Sequence, residues 1–312
     1  MDWPPAVGPQ LAGVEFPSVV KPLAMSASRG VIRADDLPGL EAACRRAGAI
    51  VSASAGISAQ AATGTTADLS VAVSTDADER HTLLVESFVP GPEIALEGML
   101  ADGELSVLAL FDKPDPLDGP FFEETIYVTP SRLPPPIQSL AAERVREGCA
   151  AYGLTEGPVH AELRIHEGDA WIIEIAGRTI GGDCARLFTF GSGTSLEHLV
   201  LQRALRRAPG VSDVPFRDAG RAAGVLMIPT PGAGTLRRVE GVMAASRIPG
   251  IREVSITVRE GYELTPLPEG GTYLGFVFAL GEDPADVEDS LRRAQETIRV
   301  VLAPSLAVEV AS

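Results

Sequence analysis

Residues 158–178 read PVHAELRIHEGDAWIIEIAGR, a pattern that predicts two antiparallel strands joined by a tight turn at Gly168. Glu162 and Glu174 lie at equal distances from that glycine along the chain, so we expect them to face each other. The β-carbons of directly paired residues lie about 4.5–5.5 Å apart, and like charges at such positions are destabilising. The pair therefore indicates either a divalent cation held by oxygen ligands or an exposed, charged outer face of an antiparallel sheet.

Strand alternation predicts two different faces for this hairpin. One face is ionic and the other apolar, so we expect a charged site on one side and a hydrophobic core on the other. The ionic face would carry His160, Glu162, Arg164, Glu174 and Arg178. The apolar face would carry Ala161, Leu163, Ile165, Trp171, Ile173 and Ile175.

The composition is that of an acidic globular protein. The 312 residues include 42 Asp and Glu against 26 Lys and Arg, which gives a formal charge of −16. This balance argues against a nucleic-acid partner, which needs a basic surface. Three widely spaced cysteines suit a reducing compartment. The sequence shows no signal peptide and no segment apolar enough to cross a bilayer, so we expect a soluble, cytoplasmic protein with no membrane partner.

Periodicity and turn residues predict further elements outside the hairpin. The expected elements are a helix over 37–48 capped by Asp35 and Asp36, a loop over 47–67, a hairpin turning at Asp102-Gly103 and a helix over 137–152.

A composition break at 208–220 separates off the C-terminal part of the chain. Beyond it, strands and helices are expected in the order β-α-β-β-α-β, which is ferredoxin-like. The two helices would cover 235–248 and 283–302, and the last strand 306–310. We therefore expect a small α+β domain over 220–312.

Two earlier segments are candidates for binding a nucleotide. Lys21 ends a short strand and is followed by small residues from Ser26 to Gly30, whose backbone N–H groups can hold phosphates. Residues 86–93 read ESFVPGPE, so a Pro-Gly turn separates two carboxylates that can accept bonds from ribose hydroxyls. Each segment alone is equally compatible with a surface lysine beside a loop or with an ordinary strand end.

The order of these pieces resembles the ATP-grasp superfamily, and most closely its carboxylate–amine ligases that join amino acids. The resemblance covers roughly residues 16–207, and 220–312 is similar to the small extra domain of some amino-acid ligases. It implies a lid subdomain over 16–90 and an antiparallel-sheet C-lobe with the metal and substrate site over 91–210. The segment before them, 1–15, is predicted to be irregular because of its proline and glycine breakers. The matching segments are FPSVVKPLAMSASRGVIRADD (16–36), LLVESFVPGPEIALEG (83–98), LALFDKPDPLDGPFFEETIYVTPSRLP (108–134), GLTEGPVHAELRI (153–165) and WIIEIAGRTIGGDCARLFTFGSGTSLEHLV (171–200).

The resemblance also implies a role for each matching residue. The catalytic residue would be Arg178, which would stabilise the transferred phosphoryl group, and magnesium would be held by Glu162 and Glu174. The amino-acid substrate would be held by Glu124, Tyr127, Gly181 and Gly182. The phosphates of ATP would be bound by Lys21 and by the lid loop, with its residues Ser26, Ser28, Arg29 and Gly30. Lys113 would be a further phosphate or substrate contact. The adenine would be contacted by Glu86, Phe88, Val89 and Ile173, and the ribose by Glu93.

The activity implied by the resemblance is an ATP- and Mg²⁺-dependent ligation. ATP would convert a carboxylate into an acyl-phosphate, and an amine would then attack that anhydride. The partners would be small molecules, namely an amino-acid carboxylate and an amine. Two alternatives stay open: an ATP-binding protein without turnover, and a carboxylase-type enzyme that activates bicarbonate.

Two features of the sequence differ from the family pattern. Ala176 stands where an asparagine usually follows the second metal-binding glutamate, and only 20 residues precede Lys21, where the family has an α/β domain. A stretch that short is not expected to form a domain of its own. The sequence is therefore compatible with a truncated chain, with a homodimer or a separate N-terminal lobe as partner, or with a non-catalytic remnant.

Overall fold

The computed structural model describes residue 11 and residues 13–61, 82–205 and 221–303. Its first elements are β1 (Ser18–Pro22), β2 (Ile32–Ala34), α1 (Leu37–Ala61) and β3 (Leu83–Ser87). The three strands form an antiparallel sheet in the order β2-β1-β3, named here the lid sheet. α1 packs on this sheet through Leu40, Ala43, Cys44 and Ala47. The helix has the predicted cap, because the Gly39 N–H donates to Asp36 Oδ1 at 2.8 Å.

Helix α1 is longer than the sequence pattern predicts. The loop prediction for 47–67 is wrong as far as Ala61, where the helix ends, and residues 62–67 lie outside the described ranges. Alanine has the highest helix propensity, and the buried stripe of the helix continues through Ile50 and Val51. Propensity and burial thus both favour helix in this low-complexity stretch.

The remaining elements follow in chain order and include the predicted hairpin at Asp102-Gly103 and the predicted helix over 137–152. They are β4 (Glu93–Ala101), β5 (Glu104–Lys113), β6 (Ile126–Thr129), α2 (Pro135–Tyr152), β7 (Gly157–His166), β8 (Asp169–Ala176), a 3₁₀-helix (Gly182–Ala185), α3 (Arg186–Ser192), α4 (Leu196–Ala204), β9 (Ala222–Ile228), β10 (Gly234–Glu240), α5 (Val242–Ala245), β11 (Ile251–Ile256), β12 (Glu263–Leu264), β13 (Gly275–Gly281), α6 (Pro284–Thr297) and β14 (Arg299–Ala303). Eight strands form one antiparallel sheet in the order β11-β13-β9-β6-β5-β4-β7-β8.

Hydrophobic clusters fix the helices on this sheet. α2 contributes Ala141, Val145 and Cys149 to a cluster with β4 and β7, and α6 contributes Val287, Leu291 and Ala294 to a cluster with β6, β9 and β13. A third cluster joins the 3₁₀-helix and α3 to β5, β6 and β13. In it the rings of Phe111 and Phe188 meet edge to face at 6.2 Å. This third cluster lies under the candidate site described below.

The C-terminal part does not have the expected β-α-β-β-α-β order. The helix prediction for 235–248 is wrong, since that segment begins as β10 and only Val242–Ala245 is helical. β10 pairs with β12 and β14 in a separate three-stranded sheet, so cross-strand pairing overrides the helical spacing of its apolar residues. The second predicted helix ends at Thr297 because Arg299–Ala303 pairs as β14. The strand predicted at 306–310 lies outside the described residues.

The C-terminal strands extend the same sheet as the preceding lobe, because β9 pairs with β6. The predicted break at 208–220 lies outside the described ranges. The continuous sheet brings residues that are distant in sequence to one surface. No helix in the described part of the chain is long and apolar enough to cross a membrane.

Candidate active site

The β7–β8 hairpin brings the two predicted acids together. Glu162 and Glu174 are register partners across the two strands, so the predicted pairing is confirmed. A β-bulge follows at once, between Glu162 and Leu163. A bulge adds an unpaired residue to one strand and changes the direction of the side chains beyond it.

This bulge changes the predicted face of Ile173. Ile172 and Ile175 both face α2, since a β-carbon built on Gly148 would lie 3.0 Å and 2.4 Å from their Cδ1 atoms. Strict alternation would put two residues three positions apart on opposite faces. Of these isoleucines and Ile173, only Ile175 packs on the core cluster of α2, and Ile173 lines the cavity together with Ile172, so the assignment of Ile173 to the apolar core face is wrong. Its predicted contact with adenine stays a prediction.

A cavity of about 720 Å³ lies between the lid sheet, the β7–β8 hairpin and the C-terminal strands. Every site residue predicted from the sequence lines it except Gly30 and Lys113. The side chain of Lys113 is buried next to the cavity residues Glu93 and Glu124, with only 3% of it exposed. The structure thus gathers residues from separate segments at one place, although it does not test the role of each.

Lys21 joins the lid sheet to the β7–β8 hairpin. Its Nζ lies 2.7 Å from Glu86 Oε2 and donates to the carbonyl oxygen of Ile173 at 3.3 Å. The Lys21 side chain is 24% exposed, so its ammonium remains accessible from the cavity. A partly exposed cation at this position is compatible with the predicted phosphate contact.

The lid loop is docked against a loop of the C-terminal part. Arg29 Nε donates to the carbonyl oxygen of Glu269 at 3.1 Å, and the Gly30 N–H donates to that of Pro268 at 2.9 Å. Arg46 adds an ion pair with the carboxylate of Glu269 at 2.6 Å. These bonds fix the lid loop, with its phosphate-binding candidates, against the C-terminal part of the chain.

Residues 88–92, between β3 and β4, are named here the hinge. A buried arginine of β7 holds this segment. The Arg164 guanidinium donates to the carbonyl oxygen of Val89 at 2.9 Å and lies 4.9 Å from the centre of the Phe88 ring. The Arg33 guanidinium lies 4.2 Å from the same ring. The predicted adenine contacts Phe88 and Val89 therefore belong to a hinge whose position is fixed by the sheet.

A buried ionic cluster lies where β4, β5, β6 and β7 meet. Lys113 Nζ lies 2.7 Å from Glu93 Oε1 and 3.2 Å from Glu162 Oε1, and it also donates to Glu124. The second oxygen of Glu93 accepts from Arg164 Nε at 2.9 Å. Both oxygens of Glu93 are thus occupied by cations, and its predicted ribose contact stays a prediction. Lys113 and Arg164 thus face three carboxylates, and His160 lies 3.4 Å from one of them, Glu162.

The pKa values in this cluster follow from burial and from these charges. Burial alone would lower the pKa of Lys113, but the carboxylates of Glu124, Glu162 and Glu93 raise it well above its ordinary value. Burial alone would raise the pKa of Glu162, but Lys113 and His160 lower it. Burial raises the pKa of Glu124 in spite of its bond from Lys113. The ammonium and the Glu162 carboxylate therefore both stay charged at neutral pH.

The carboxylates fit the predicted magnesium, a hard cation that prefers oxygen ligands. One oxygen each from Glu93, Glu124 and Glu162 lie within 4.8 Å of one another, but the Lys113 ammonium contacts an oxygen of each. Both contacts of Glu162 with cationic side chains reach Oε1, so Oε2 is the oxygen that it retains for a metal. Glu174, the second predicted ligand, is 55% exposed and lies 3.8 Å from an Arg178 nitrogen. Glu162 with Glu174 as the metal pair stays a prediction.

The far end of the cavity is lined by residues that suit a small organic substrate. Tyr127 donates its hydroxyl to Glu124 Oε1 at 2.7 Å, and a β-carbon on Gly182 would lie 3.6 Å from the Phe276 ring. The Cys184 thiol lies 3.7 Å from the sulfur of Met227, and burial raises its pKa. This end offers a carboxylate and a phenol beside apolar walls, with a thiol that stays protonated.

Several cavity residues were not predicted from the sequence. Met227 of β9, Phe276 of β13 and Tyr273 just before β13 line the cavity, and their apolar segments look like ordinary core. Glu97 was also missed, although an acid in the middle of the apolar strand EIALEGMLA is a signal of a buried polar contact. It is completely buried.

Two protein-family models match the chain. One describes an ATP-grasp domain and matches residues 14–186; the other describes the L-amino acid ligase C-terminal domain 2 and matches residues 226–303. A curated relative, the uncharacterized protein y4rH of Sinorhizobium fredii, is 27% identical over 236 residues. The match covers 71% of this chain and 45% of that protein, so the chain spans less than half of this relative.

The fold of the chain is also similar to that of several solved structures. The L-amino acid ligase from Bacillus licheniformis superposes with a TM-score of 0.75 and 27% identity, over 95% of this chain and 67% of that one. N5-carboxyaminoimidazole ribonucleotide synthetase from Thermotoga maritima has a TM-score of 0.62 and 14% identity, over 96% and 66% of the two chains. Phosphoribosylglycinamide synthetase from Anaerococcus prevotii has a TM-score of 0.56 and 15% identity, over 94% and 66%. These last two similarities concern the fold alone.

Proposed function

The chain belongs to the ATP-grasp family, and from that premise we propose that it is an ATP- and Mg²⁺-dependent ligase that joins an amino-acid carboxylate to an amine. One observation carries the proposal: Lys21, Glu162, Glu174 and Arg178 line a single cavity. The match to an L-amino acid ligase C-terminal domain supports amino acids, rather than bicarbonate, as the class of substrate.

The reaction has two steps in which atoms and charges balance. A carboxylate oxygen attacks the γ-phosphorus of ATP, and ADP leaves. The amine nitrogen then attacks the acyl carbon, and inorganic phosphate leaves with the oxygen that came from the carboxylate. The amine loses a proton in the second step, and no protein nucleophile is needed.

The main barrier is the approach of two anions, the carboxylate and the γ-phosphate. Lys21 and Arg178, which both line the cavity, would offset that charge, since positive groups act more strongly in a partly water-excluded space. Magnesium held by Glu162 and Glu174 would neutralise further charge on the phosphate oxygens. The docked lid loop excludes water from the acyl-phosphate.

The substrate end of the cavity has a role of its own in this proposal. Glu124 lies at the edge of the ionic cluster and accepts from Tyr127, so a substrate ammonium would find a fixed carboxylate there. Gly181 allows close approach of a substrate carboxylate to the backbone, since nothing lies within 4 Å of an added β-carbon there, whereas at Gly182 the Phe276 ring lies 3.6 Å away.

The proposal is tested by measuring ADP and phosphate release from Mg·ATP with a panel of amino-acid pairs, and by mass spectrometry of the products. We expect release that rises with a pair of amino acids and yields their condensation product. Stimulation by bicarbonate alone, or Mg·ATP binding in calorimetry without any turnover across the panel, would contradict the ligase assignment.

A matched pair of variants sharpens this test. Glu174→Gln removes a proposed magnesium ligand, so we expect it to abolish Mg²⁺-dependent turnover. Glu167→Gln changes the same residue type in the turn of the same hairpin, where the side chain is 84% exposed, and should leave turnover unchanged. Equal activity in the two variants would remove Glu174 from the proposed site.

A further inference from the structure

A buried acid and a buried histidine form a pair beneath the proposed metal site. Glu97 of β4 and His160 of β7 are register partners, and Glu97 Oε1 contacts His160 Nδ1. Their side chains are only 1% and 5% exposed. This cross-strand pair has no place in the mechanism described above.

Each member of the pair also contacts one part of the proposed active site. Glu97 Oε2 accepts from the Ile180 N–H at 3.2 Å, in the segment between Arg178 and Gly181. His160 Nε2 lies 3.4 Å from Glu162 Oε1. A single chain of contacts therefore runs from the substrate segment through the pair to the proposed metal ligand.

Both ring nitrogens of His160 face a carboxylate oxygen. Nδ1 faces that of Glu97 and Nε2 faces that of Glu162.

Stability alone does not explain such a pair. Removing two ions from water costs several kcal/mol each, and buried ion pairs replaced by apolar residues of similar volume often leave stability unchanged or improved. Carboxylate–histidine contacts just outside a metal site do, however, orient the metal ligands. The position of this pair, between two functional segments, fits that second use.

We propose that His160 and Glu97 are positioning residues that set the Glu162 carboxylate for magnesium and hold the 178–182 segment in place at the same time. This inference rests on the proposed function, since it assumes that Glu162 binds the metal of Mg·ATP. Neither residue touches the reacting atoms, and each acts through a neighbour.

Two isosteric variants separate the contacts of the histidine. His160→Asn keeps an amide nitrogen near the Nδ1 position and so retains a donor to Glu97 but loses the one to Glu162. His160→Gln keeps an amide nitrogen near the Nε2 position and so retains the donor to Glu162. We expect His160→Asn to raise the Mg²⁺ concentration needed for half-maximal ATP binding by about 10–100-fold, and His160→Gln to raise it much less.

The measurement is calorimetry of ATP binding at a series of Mg²⁺ concentrations, so it does not depend on turnover. His166→Asn is the matched control, because His166 is at the end of the same strand and its side chain is 36% exposed. Equal Mg²⁺ midpoints for His160→Asn and His160→Gln would overturn the inference and leave the proposed function standing. A wild-type chain that binds no Mg·ATP would overturn both.

The second contact is tested by hydrogen exchange of the peptide that contains 178–182. Replacing Glu97 and His160 together by leucine removes both buried charges, so the double variant retains a fold even if a single replacement does not. We expect faster exchange of this peptide and a raised Mg²⁺ midpoint in the double variant. A folded double variant with unchanged exchange and an unchanged midpoint would show that the pair has no positioning role.

Discussion

Lys21 and Lys113 are the only lysines in the sequence, and both belong to the proposed site. Lys21 is partly exposed to the cavity beside a single carboxylate. Lys113 is buried among three carboxylates. The same residue type thus has two physical uses here, one as an accessible charge and one as an internal counterion.

We predict different costs for removing these two cations. Lys113→Met leaves Glu93, Glu124 and Glu162 close together without their shared ammonium, and breaking a buried ion pair in this way costs about 3–5 kcal/mol of unfolding free energy. Lys21→Met removes a partly exposed pair and should cost about 1 kcal/mol or less, although it should weaken ATP binding. Urea denaturation of both variants measures the difference; equal stabilities would contradict the counterion role of Lys113.

The sequence predicted the acids of the site better than their surroundings. Glu162 and Glu174 could be paired because a hairpin with a recognisable turn fixes the register of its strands. The bulge after Glu162 has no signal in the residue types, so the direction of Ile173 was predicted wrongly. Lys113 was predicted as a ligand contact because the sequence does not reveal that three carboxylates surround it.

At the scale of elements, the hinge between β3 and β4 depends on close backbone packing. Gly91 has a φ of 103°, and a β-carbon there would lie 2.1 Å from the carbonyl oxygen of Ile165 at the end of β7. The hinge therefore rests directly on the strand that carries Glu162.

We predict that Gly91→Ala distorts this hinge. Positive φ in a non-glycine residue costs about 1–3 kcal/mol, and the clash with Ile165 adds to that cost. Gly103→Ala is the matched control, because its φ is 82° but nothing lies within 4 Å of an added β-carbon. Thermal melting and ATP titration should show a larger loss of both stability and affinity for Gly91→Ala; equal effects would mean that the close approach is unimportant.

Elements with a local signal were predicted well, and those fixed by distant partners were not. The Asp102-Gly103 hairpin and the α2 helix follow from a turn pair and from apolar spacing within one segment. β10 was predicted as helix because its pairing with β14 lies some sixty residues further along the chain. The apolar spacing within a short segment carries no information about a strand partner so far away in sequence.

At the scale of the whole molecule, the fold buries all three cysteines. Cys44, Cys149 and Cys184 are free and buried, and burial raises the pKa of each thiol. A raised pKa keeps a thiol protonated and unreactive as the pH rises towards its usual ionisation range. We predict that no cysteine reacts rapidly with a disulfide reagent at pH 8 in the folded protein, whereas all three react in guanidinium. One fast thiol in the native state would contradict this packing.

The whole site could be only partly predicted because one sheet assembles it from both halves of the chain. The lid loop, the hinge and the hairpin have motifs that a sequence can show. Met227 and Phe276 come from strands that join the sheet through the β6–β9 pairing, and Tyr273 lies just before the second of these strands. That pairing spans a predicted domain boundary, so sequence reasoning assigned these residues to a separate unit.

The central claim is that ATP activates a carboxylate at this site. It is tested most directly by supplying an amino acid whose carboxylate is labelled with oxygen-18, together with Mg·ATP and an amine acceptor, and by weighing the phosphate released. The account predicts that one labelled oxygen passes from the carboxylate to inorganic phosphate. Phosphate that forms without the label would show that water, not a carboxylate, receives the phosphoryl group, and would contradict the claim.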